Sequence, residues 1–274
     1  MSTPNPIQWT PELIARFWDY WARRSDRQND YFASQHGSEV ATVLSFARNP
    51  EGLDVLDYGC GPGFLIPHLL DRKARVSAAD SSPDSVEAIR RQFSGQPNFK
   101  KVHQVEGSRT PWPDNSFDVV CSLETIEHIT EDYLATWLAE IYRLLKPGGL
   151  ALFTTPHAEP LDAKTVFCPA CKSVFHPWQH IHSWTENSLA AILKQSRFKV
   201  FFCRGMNLSR FASQQGTKSW KDWSPRFFAS KMRRAACRFL DHVSPRPFPN
   251  GRLFAELIAT GATPHLVAIA IKAK

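Results

Sequence analysis

Two glutamates and a histidine in the segment Glu124-Thr125-Ile126-Glu127-His128 have the types and spacing of a catalytic or metal-binding group. Glu124 and Glu127 are three residues apart, so one helical turn places both carboxylates on one side, next to His128. Two carboxylates near an imidazole form a mixed oxygen and nitrogen site that suits Mg²⁺, Mn²⁺ or Zn²⁺. Without a metal, His128 could be a general base supported by Glu127. Alternatively, the segment from Glu124 to His128 could have no chemical role and serve to shape a loop.

A loop rich in cysteine and histidine follows later, in the segment CPACKSVFHPWQHIH that begins at Cys168. Two cysteines at C-x2-C spacing and two following histidines are the ligand set of a four-coordinate zinc site. The candidate zinc ligands are Cys168, Cys171, His176 and one of His180 or His182. The alternative is a turn that carries reduced thiols without a metal.

A glycine-rich loop, VLDYGCGPG at residues 55–63, directly follows an apolar segment. Its glycines have G-x-G-x-G spacing, and Phe64 stands where a dinucleotide fingerprint would have its third glycine. Glycines there let the backbone approach a ligand closely. Asp80 ends the next apolar segment, where a carboxylate can accept hydrogen bonds from ribose hydroxyls. The combination favours ligand binding over a tight turn without a ligand.

Short apolar strands alternate with amphipathic helices from Leu53 onwards, which predicts an α/β protein with a parallel sheet covered on both faces. Two helices are predicted before this region, between residues 10 and 47. We expect their aromatic side chains to help cover the active site, namely Trp18, Trp21, Tyr31 and Phe32. The predicted strands are LDVLDYG, ARVSAAD, FKKVHQVEG, FDVVCSL, GLALFTTP, FKVFFCR and HLVAIAIKAK.

The chain resembles class I S-adenosylmethionine-dependent methyltransferases over roughly residues 35–204 and the last strand. The resemblance rests on VLDYGCGPG, on Asp80, on PWPDNSFDVVCSLETIEHI and on LLKPGGLALFTTP. It implies a Rossmann-like, doubly wound, seven-stranded sheet whose last strand is reversed. The implied division is an N-terminal helical cap at 1–47, a cofactor-binding domain at 48–204 and 263–274, and a basic helical insertion at 205–262.

The resemblance also implies which residues contact S-adenosylmethionine. Asp80 would hold the ribose, Ser81 and Ser82 would lie beside the adenine, and Leu123 would line the methyl-transfer pocket. Ser108 stands where relatives often carry an acidic residue that binds the adenine amino group. The residues expected at the methionine part are Asp57, Gly59, Gly61 and Gly63.

The E-x-x-E-H string resembles ubiquinone-pathway O-methyltransferases and small-RNA 2′-O-methyltransferases, two groups thought to use a divalent metal. In the RNA group a further histidine, four residues before a Trp-Thr pair, completes the site, and His180 has this spacing. The resemblance therefore implies a catalytic metal held by Glu124, Glu127, His128 and His180. His180 thus belongs to both the catalytic and the zinc hypothesis.

The positive charge of the chain is concentrated near its C-terminal end. Residues 204–252 contain eleven Lys or Arg and two Asp, so this segment carries +9 and the rest −2 of the total +7. Its helical apolar stripe could lie on an anionic membrane surface, cover a pocket or bind RNA. A helix packed on the sheet edge with a solvated basic face is the plain alternative.

The 274 residues have ordinary globular composition, and we expect a cytoplasmic enzyme, with membrane-peripheral contact through the basic segment as an option. We expect neither an apolar run long enough to span a membrane nor a signal peptide. The predicted activity is O-methylation of a small-molecule or lipid-like acceptor, with assistance by a divalent metal as an option. The alternatives are metal-independent N- or C-methylation, and a degenerate module that binds RNA or membrane.

Overall fold

The computed structural model describes residues 5–107, 109–208 and 263–274. Ser108 and residues 209–262 lie outside the described residues, so the expected adenine contact of Ser108 and nearly all of the predicted basic insertion lie there too. The predicted contact of segment 204–252 with membrane or RNA therefore stays a prediction, as does the division into cap, domain and insertion.

The described chain forms helices and strands in the order that the alternating pattern predicts. The helices are α1 (Pro11–Ala22), α2 (Phe32–Ala47), α3 (Ile66–Leu70), α4 (Pro83–Phe93), α5 (Glu131–Leu144) and α6 (Glu186–Gln195), with 3₁₀ turns at Ser25–Asp30, Ile126–His128 and Leu161–Ala163. The strands are β1 (Asn5–Pro6), β2 (Asp54–Tyr58), β3 (Arg75–Asp80), β4 (Phe99–Gln104), β5 (Phe117–Leu123), β6 (Leu145–Pro156), β7 (Val166–Phe167), β8 (Ser173–Phe175), β9 (Phe198–Met206) and β10 (His265–Lys272).

Seven strands form one sheet in the order β4-β3-β2-β5-β6-β10-β9. Strand β10 runs antiparallel to both of its neighbours, and the other strand pairs are parallel. The predicted seven-stranded α/β sheet with a reversed last strand is therefore confirmed. The order reverses between β2 and β5, so the chain segments after these strands border one crevice, where α/β sheets bind ligands.

The sheet is buried on both faces because successive residues of its strands point to opposite sides. In β5, Val119 and Cys121 pack in the cluster that contains residues of α2, α3 and α4, whereas Val120 packs in the cluster around α5 and α6. Helix α5 turns Leu134, Leu138 and Ile141 to the second cluster, at helical spacing. These two cores hold the ends of β2 and β5 in place.

Two segments differ from the sequence prediction. Lys146-Pro147-Gly148-Gly149, predicted as a turn between α5 and a strand, belongs to β6, and the pairing of β5 with β6 shifts register between Phe117 and Val119. Gly148 has φ +74°, which lets the chain bulge there without leaving the sheet. The predicted Cys/His loop begins in the turn of the hairpin β7–β8, whose β8 pairs with β1 in a small sheet.

Among the described residues, no helix combines the length and the apolar character needed to cross a membrane.

Truncation of the α5 core contact tests this packing. Leu138 is fully buried, so Leu138→Ala should lower the free energy of unfolding by about 2–5 kcal/mol, measured by urea denaturation. Thr136→Ala, at an exposed position of the same helix, should change it by less than about 0.5 kcal/mol. Equal stabilities of the two variants would contradict the assigned packing of α5.

Candidate functional site

The glycine loop after β2 has a backbone that side chains would disrupt. Gly59 and Gly63 have φ +79° and +85°. A Cβ on Gly59 would lie 2.6 Å from the side chain of Thr125, and one on Gly63 would lie 2.9 Å from Ile66 and Ile89. The loop therefore needs glycine for both its conformation and its close packing.

Asp80 fixes this loop from the end of β3. Its carboxylate accepts the backbone N–H of Gly61 at 2.7 Å and that of Ser82 at 2.9 Å. Burial raises the pKa of Asp80, and these two N–H groups oppose the rise. The carboxylate thus orders the turn of the loop.

Asp57, next to the loop, is a buried acid with an unused oxygen. Only 2% of the residue is exposed, and Oδ2 has no hydrogen-bond partner. Burial, and then the neighbouring charge of Asp80, raise the pKa of Asp57 to about 8. A cationic group of a ligand would favour its ionised form, because an opposite charge offsets the desolvation cost.

One cavity of about 450 Å³ connects this loop with the residues that follow β5, a volume typical of small-molecule sites. Asp57, Gly61 and Asp80 line one part of it. Glu124 and His128 line another part. The remaining wall is mainly apolar and aromatic, and includes Ile14, Trp18, Tyr31, Phe64, Leu123, Tyr133, Trp137 and Trp178.

The two glutamates after β5 are buried with few partners. Glu127 is 0% exposed, and neither of its carboxylate oxygens has a hydrogen-bond partner; Oε1 of Glu124 also lacks one. Burial raises the pKa of Glu124 to about 8. Burial, and then the charge of Glu124, raise the pKa of Glu127 well above its usual value. Buried oxygens of this kind are costly unless a proton or a cation balances them.

His128 and His180 complete this cluster. One ligand atom each of Glu127, His128 and His180 lie within 4.8 Å of one another, and His128 Nε2 is 3.9 Å from Glu127 Oε1. The other nitrogen of His128, Nδ1, is 3.4 Å from the carbonyl of Gln179. Because a carbonyl only accepts, this contact favours the tautomer with the proton on Nδ1 and the lone pair on Nε2. Burial, and then the neighbouring His180, lower the pKa of His128 to about 3, so the imidazole is neutral at pH 7.

Comparison with known proteins identifies the domain that holds this cavity. Residues 56–153 match the family described as methyltransferase domain. A protein of Mycolicibacterium smegmatis named "Probable S-adenosylmethionine-dependent methyltransferase" is 30% identical over 182 residues, which are 66% of this chain and 60% of that protein. The chain contains a class I S-adenosylmethionine-dependent methyltransferase domain.

Two further comparisons agree with the methyltransferase domain. "Ubiquinone biosynthesis O-methyltransferase" of Cereibacter sphaeroides is 30% identical over 131 residues, 48% of this chain and 52% of that protein. The chain thus spans 52–60% of the length of these two relatives. The structure of Burkholderia thailandensis 1,6-didemethyltoxoflavin-N1-methyltransferase has the same fold, with TM-score 0.59 and 16% identity, covering 100% of this chain and 95% of that one.

Most of the residues predicted to bind the cofactor lie around the cavity of the methyltransferase domain. The residues that line it are Asp57, Gly59, Gly61, Asp80, Ser81 and Leu123. Gly63 is not among the lining residues and packs on Ile66 and Ile89 instead. Ser82, expected beside the adenine, is buried and caps α4 by accepting the backbone N–H of Ser85.

The predicted zinc ligands are not assembled in the structure. His176 groups with Glu159 and His180, and no group of three possible metal ligands in the described part of the chain includes Cys168 or Cys171. The cysteines lie on the β7–β8 hairpin, where Cys171 Sγ donates to Ser173 Oγ at 3.3 Å. His182 turns away, since its Nε2 bonds the carbonyl of Ile129 at 2.8 Å. His180 lies in two groups of possible ligands, one with Glu127 and His128 and one with Glu159 and His176, and its proposed metal role stays a prediction.

Three side chains of the site had no assigned role in the sequence analysis. Gln179 is fully buried; its amide accepts the indole N–H of Trp18 at 3.0 Å and donates to the carbonyl of His128 at 3.1 Å. Glu159 contacts His180. Trp178 lines the cavity and contacts Trp21, with the ring centroids 4.9 Å apart and the rings tilted by 40°. Of these three residues, only Glu159 could have been found from the sequence, because it is an acid just after β6, at the edge of the sheet where ligands bind. Of the four aromatic residues expected to help cover the active site, Trp18, Tyr31 and Phe32 line the cavity, and Trp21 is not among the lining residues.

Neutralising Asp80 tests the cofactor end of the cavity. Asp80→Asn removes the charge that orders the loop, and hydrogen bonds to charged groups contribute about 1.5–3 kcal/mol each. We therefore expect the affinity for S-adenosylhomocysteine to fall roughly 10–100-fold by isothermal titration calorimetry. Glu87→Gln, an exposed acid on α4, is the control and should bind normally. Unchanged affinity of Asp80→Asn would contradict the assignment.

Proposed function

We propose that the protein transfers a methyl group from S-adenosylmethionine to an oxygen of a small, apolar, ring-containing acceptor, and that a divalent cation assists the reaction. One observation carries this proposal. The same cavity is lined by the glycine loop and Asp80 at one part and by Glu124, His128 and His180 at another. A cofactor and an acceptor bound there would meet inside one cavity.

The donor set fits a divalent cation. Three carboxylate oxygens of Glu124 and Glu127 are buried without partners, and His128 keeps an unprotonated Nε2 near one of them. We propose that Glu124, Glu127, His128 and His180 hold Mg²⁺, Mn²⁺ or Zn²⁺, since hard oxygen ligands with imidazoles suit these ions. Such a cation would lower the pKa of an acceptor hydroxyl and orient a neighbouring oxygen.

The chain's own residues orient the reactants and exclude water. Asp57, the glycine loop and Asp80 hold S-adenosylmethionine, which supplies a methyl group on a cationic sulfur. The acceptor hydroxyl gives its proton to a solvent water as the acceptor binds, and its oxygen attacks the methyl carbon. The oxygen–carbon bond forms as the carbon–sulfur bond breaks, and neutral S-adenosylhomocysteine leaves. Most of the acceleration in such a displacement comes from alignment of the two reactants.

The aromatic walls indicate the kind of acceptor. Trp18, Tyr31, Phe64 and Trp178 surround the cavity, and flat rings stack favourably on such surfaces. We propose an aromatic acceptor with two neighbouring oxygens, because a cation can bind both. The Cereibacter sphaeroides relative is named a ubiquinone biosynthesis O-methyltransferase, which supports oxygen as the acceptor atom.

Removal of one imidazole tests the metal-assisted reaction. His128→Ala and His180→Ala should each lower methyl transfer to ortho-dihydroxy aromatic acceptors by roughly 100-fold or more, since the cation contributes several kcal/mol. Affinity for S-adenosylhomocysteine should stay within about threefold, because the cofactor loop is intact. Transfer is followed with tritiated S-adenosylmethionine, before and after treatment with a chelator.

His182→Ala is the matched control, because His182 lies in the same loop but bonds the carbonyl of Ile129. It should keep full activity. Chelator-resistant transfer with an active His128→Ala variant would reject the cation and favour metal-independent methylation. Absence of cofactor binding in the unaltered protein would instead favour a degenerate module.

A further inference from the structure

Glu159 lies where two groups of possible metal ligands meet. In the part of the chain that the structure describes, one group is Glu127, His128 and His180, and the other is Glu159, His176 and His180. Both contain His180. The second group is either a separate metal site or a support for the first, and the proton positions of its histidines decide between these roles.

His176 turns its Nε2 toward Glu159 without making a hydrogen bond to it. Its Nδ1 accepts the backbone N–H groups of Trp178 at 3.3 Å and of His180 at 3.4 Å. A neutral imidazole that accepts at Nδ1 carries its proton on Nε2. This Nε2 is buried and lies 3.6 Å from Glu159 Oε1. His176 therefore has no lone pair for a cation on the side that faces Glu159.

Glu159 in turn accepts hydrogen bonds from its neighbours. Its Oε1 is 2.9 Å from the ammonium of Lys164, and its Oε2 is 2.5 Å from Nδ1 of His180. The nearby ammonium favours the ionised carboxylate, which can only accept. The proton of the short contact consequently belongs to His180 Nδ1, and Nε2 of His180 keeps its lone pair.

The same proton pattern occurs on His128, whose Nδ1 faces the carbonyl of Gln179. The rings of His128 and His180 lie 5.0 Å apart, and each has an acceptor holding its Nδ1–H. Both imidazoles are thus prepared to bind one cation through Nε2. Metal-binding histidines commonly donate their second N–H to a carboxylate or a carbonyl, which fixes their tautomer.

We propose that Glu159 is a positioning residue that fixes the tautomer and ring orientation of His180 for one divalent cation, and that Lys164 holds Glu159 in place. This inference rests on the proposed function, because it needs the cation site of Glu124, Glu127, His128 and His180. The group around His176 is then a support and does not bind a second ion.

Titration of Mn²⁺ into the full-length protein with bound S-adenosylhomocysteine tests this assignment. The unaltered protein should bind one Mn²⁺. Glu159→Ala should bind it roughly 10–100-fold more weakly, and Glu159→Gln, which keeps a neutral acceptor, should recover part of the loss. Glu131→Gln is the matched control, since Glu131 is an exposed acid 3.9 Å from His182 and should leave Mn²⁺ affinity unchanged.

The tautomer itself provides a second readout, by long-range ¹H–¹⁵N correlation spectra of histidine-labelled protein without metal. His180, assigned by its loss in His180→Asn, should carry its proton on Nδ1 in the unaltered protein. It should shift toward the Nε2–H form in Glu159→Ala. A merely structural role of Glu159 would not move this signal, and an Nε2–H tautomer in the unaltered protein would overturn the inference even if Glu159→Ala failed to fold.

The remaining outcomes separate the inference from the proposed function. If the unaltered protein binds no Mn²⁺, the proposed cation site fails and the inference fails with it. If it binds one Mn²⁺ and Glu159→Ala binds equally well, only the inference fails. Two bound ions, reduced to one in His176→Ala, would make the second group a metal site and also overturn it.

Discussion

Burial of two neighbouring carboxylates at the end of β5 is the constraint on which the rest of the site depends. Three carboxylate oxygens of Glu124 and Glu127 are buried away from water and have no hydrogen-bond partner. Glu124 also has φ +45°, a conformation that costs energy for a residue with a side chain. The surrounding structure holds this arrangement in place, so we interpret it as a binding site for charge and not as a packing accident.

The elements around the two carboxylates bring further side chains of the site next to them. The loop after β6 brings His180 to His128, and Gln179 links His128 to Trp18 of the N-terminal helix α1. The helix thus covers the cavity through a contact with the same loop that supplies a proposed ligand. Closure of the cavity and assembly of the ionisable cluster therefore depend on one another, which suits a reaction that must exclude water.

The parts of the site that lie within one short segment, or at the ends of neighbouring parallel strands, could be predicted from the sequence. The glycine loop and Asp80 each end a strand, and parallel strands bring such ends to one edge, so their proximity needed no further information. The roles of Glu159 and Gln179 depend on how the loop after β6 folds back, and Gln179 bonds Trp18 across 161 residues. Spacing alone suggested zinc at Cys168 and Cys171, but among the described residues His176 groups with Glu159 and His180 and not with the two cysteines.

The most direct test of the cation site is an anomalous difference map at the manganese edge. Crystals of the full chain would be grown with Mn²⁺ and S-adenosylhomocysteine. The proposed function predicts one peak within about 2.5 Å of ligand atoms from Glu124, Glu127, His128 and His180, beside the bound cofactor product. The absence of a peak there when the cofactor product is bound, or a peak centred on Cys168 and Cys171, would contradict it.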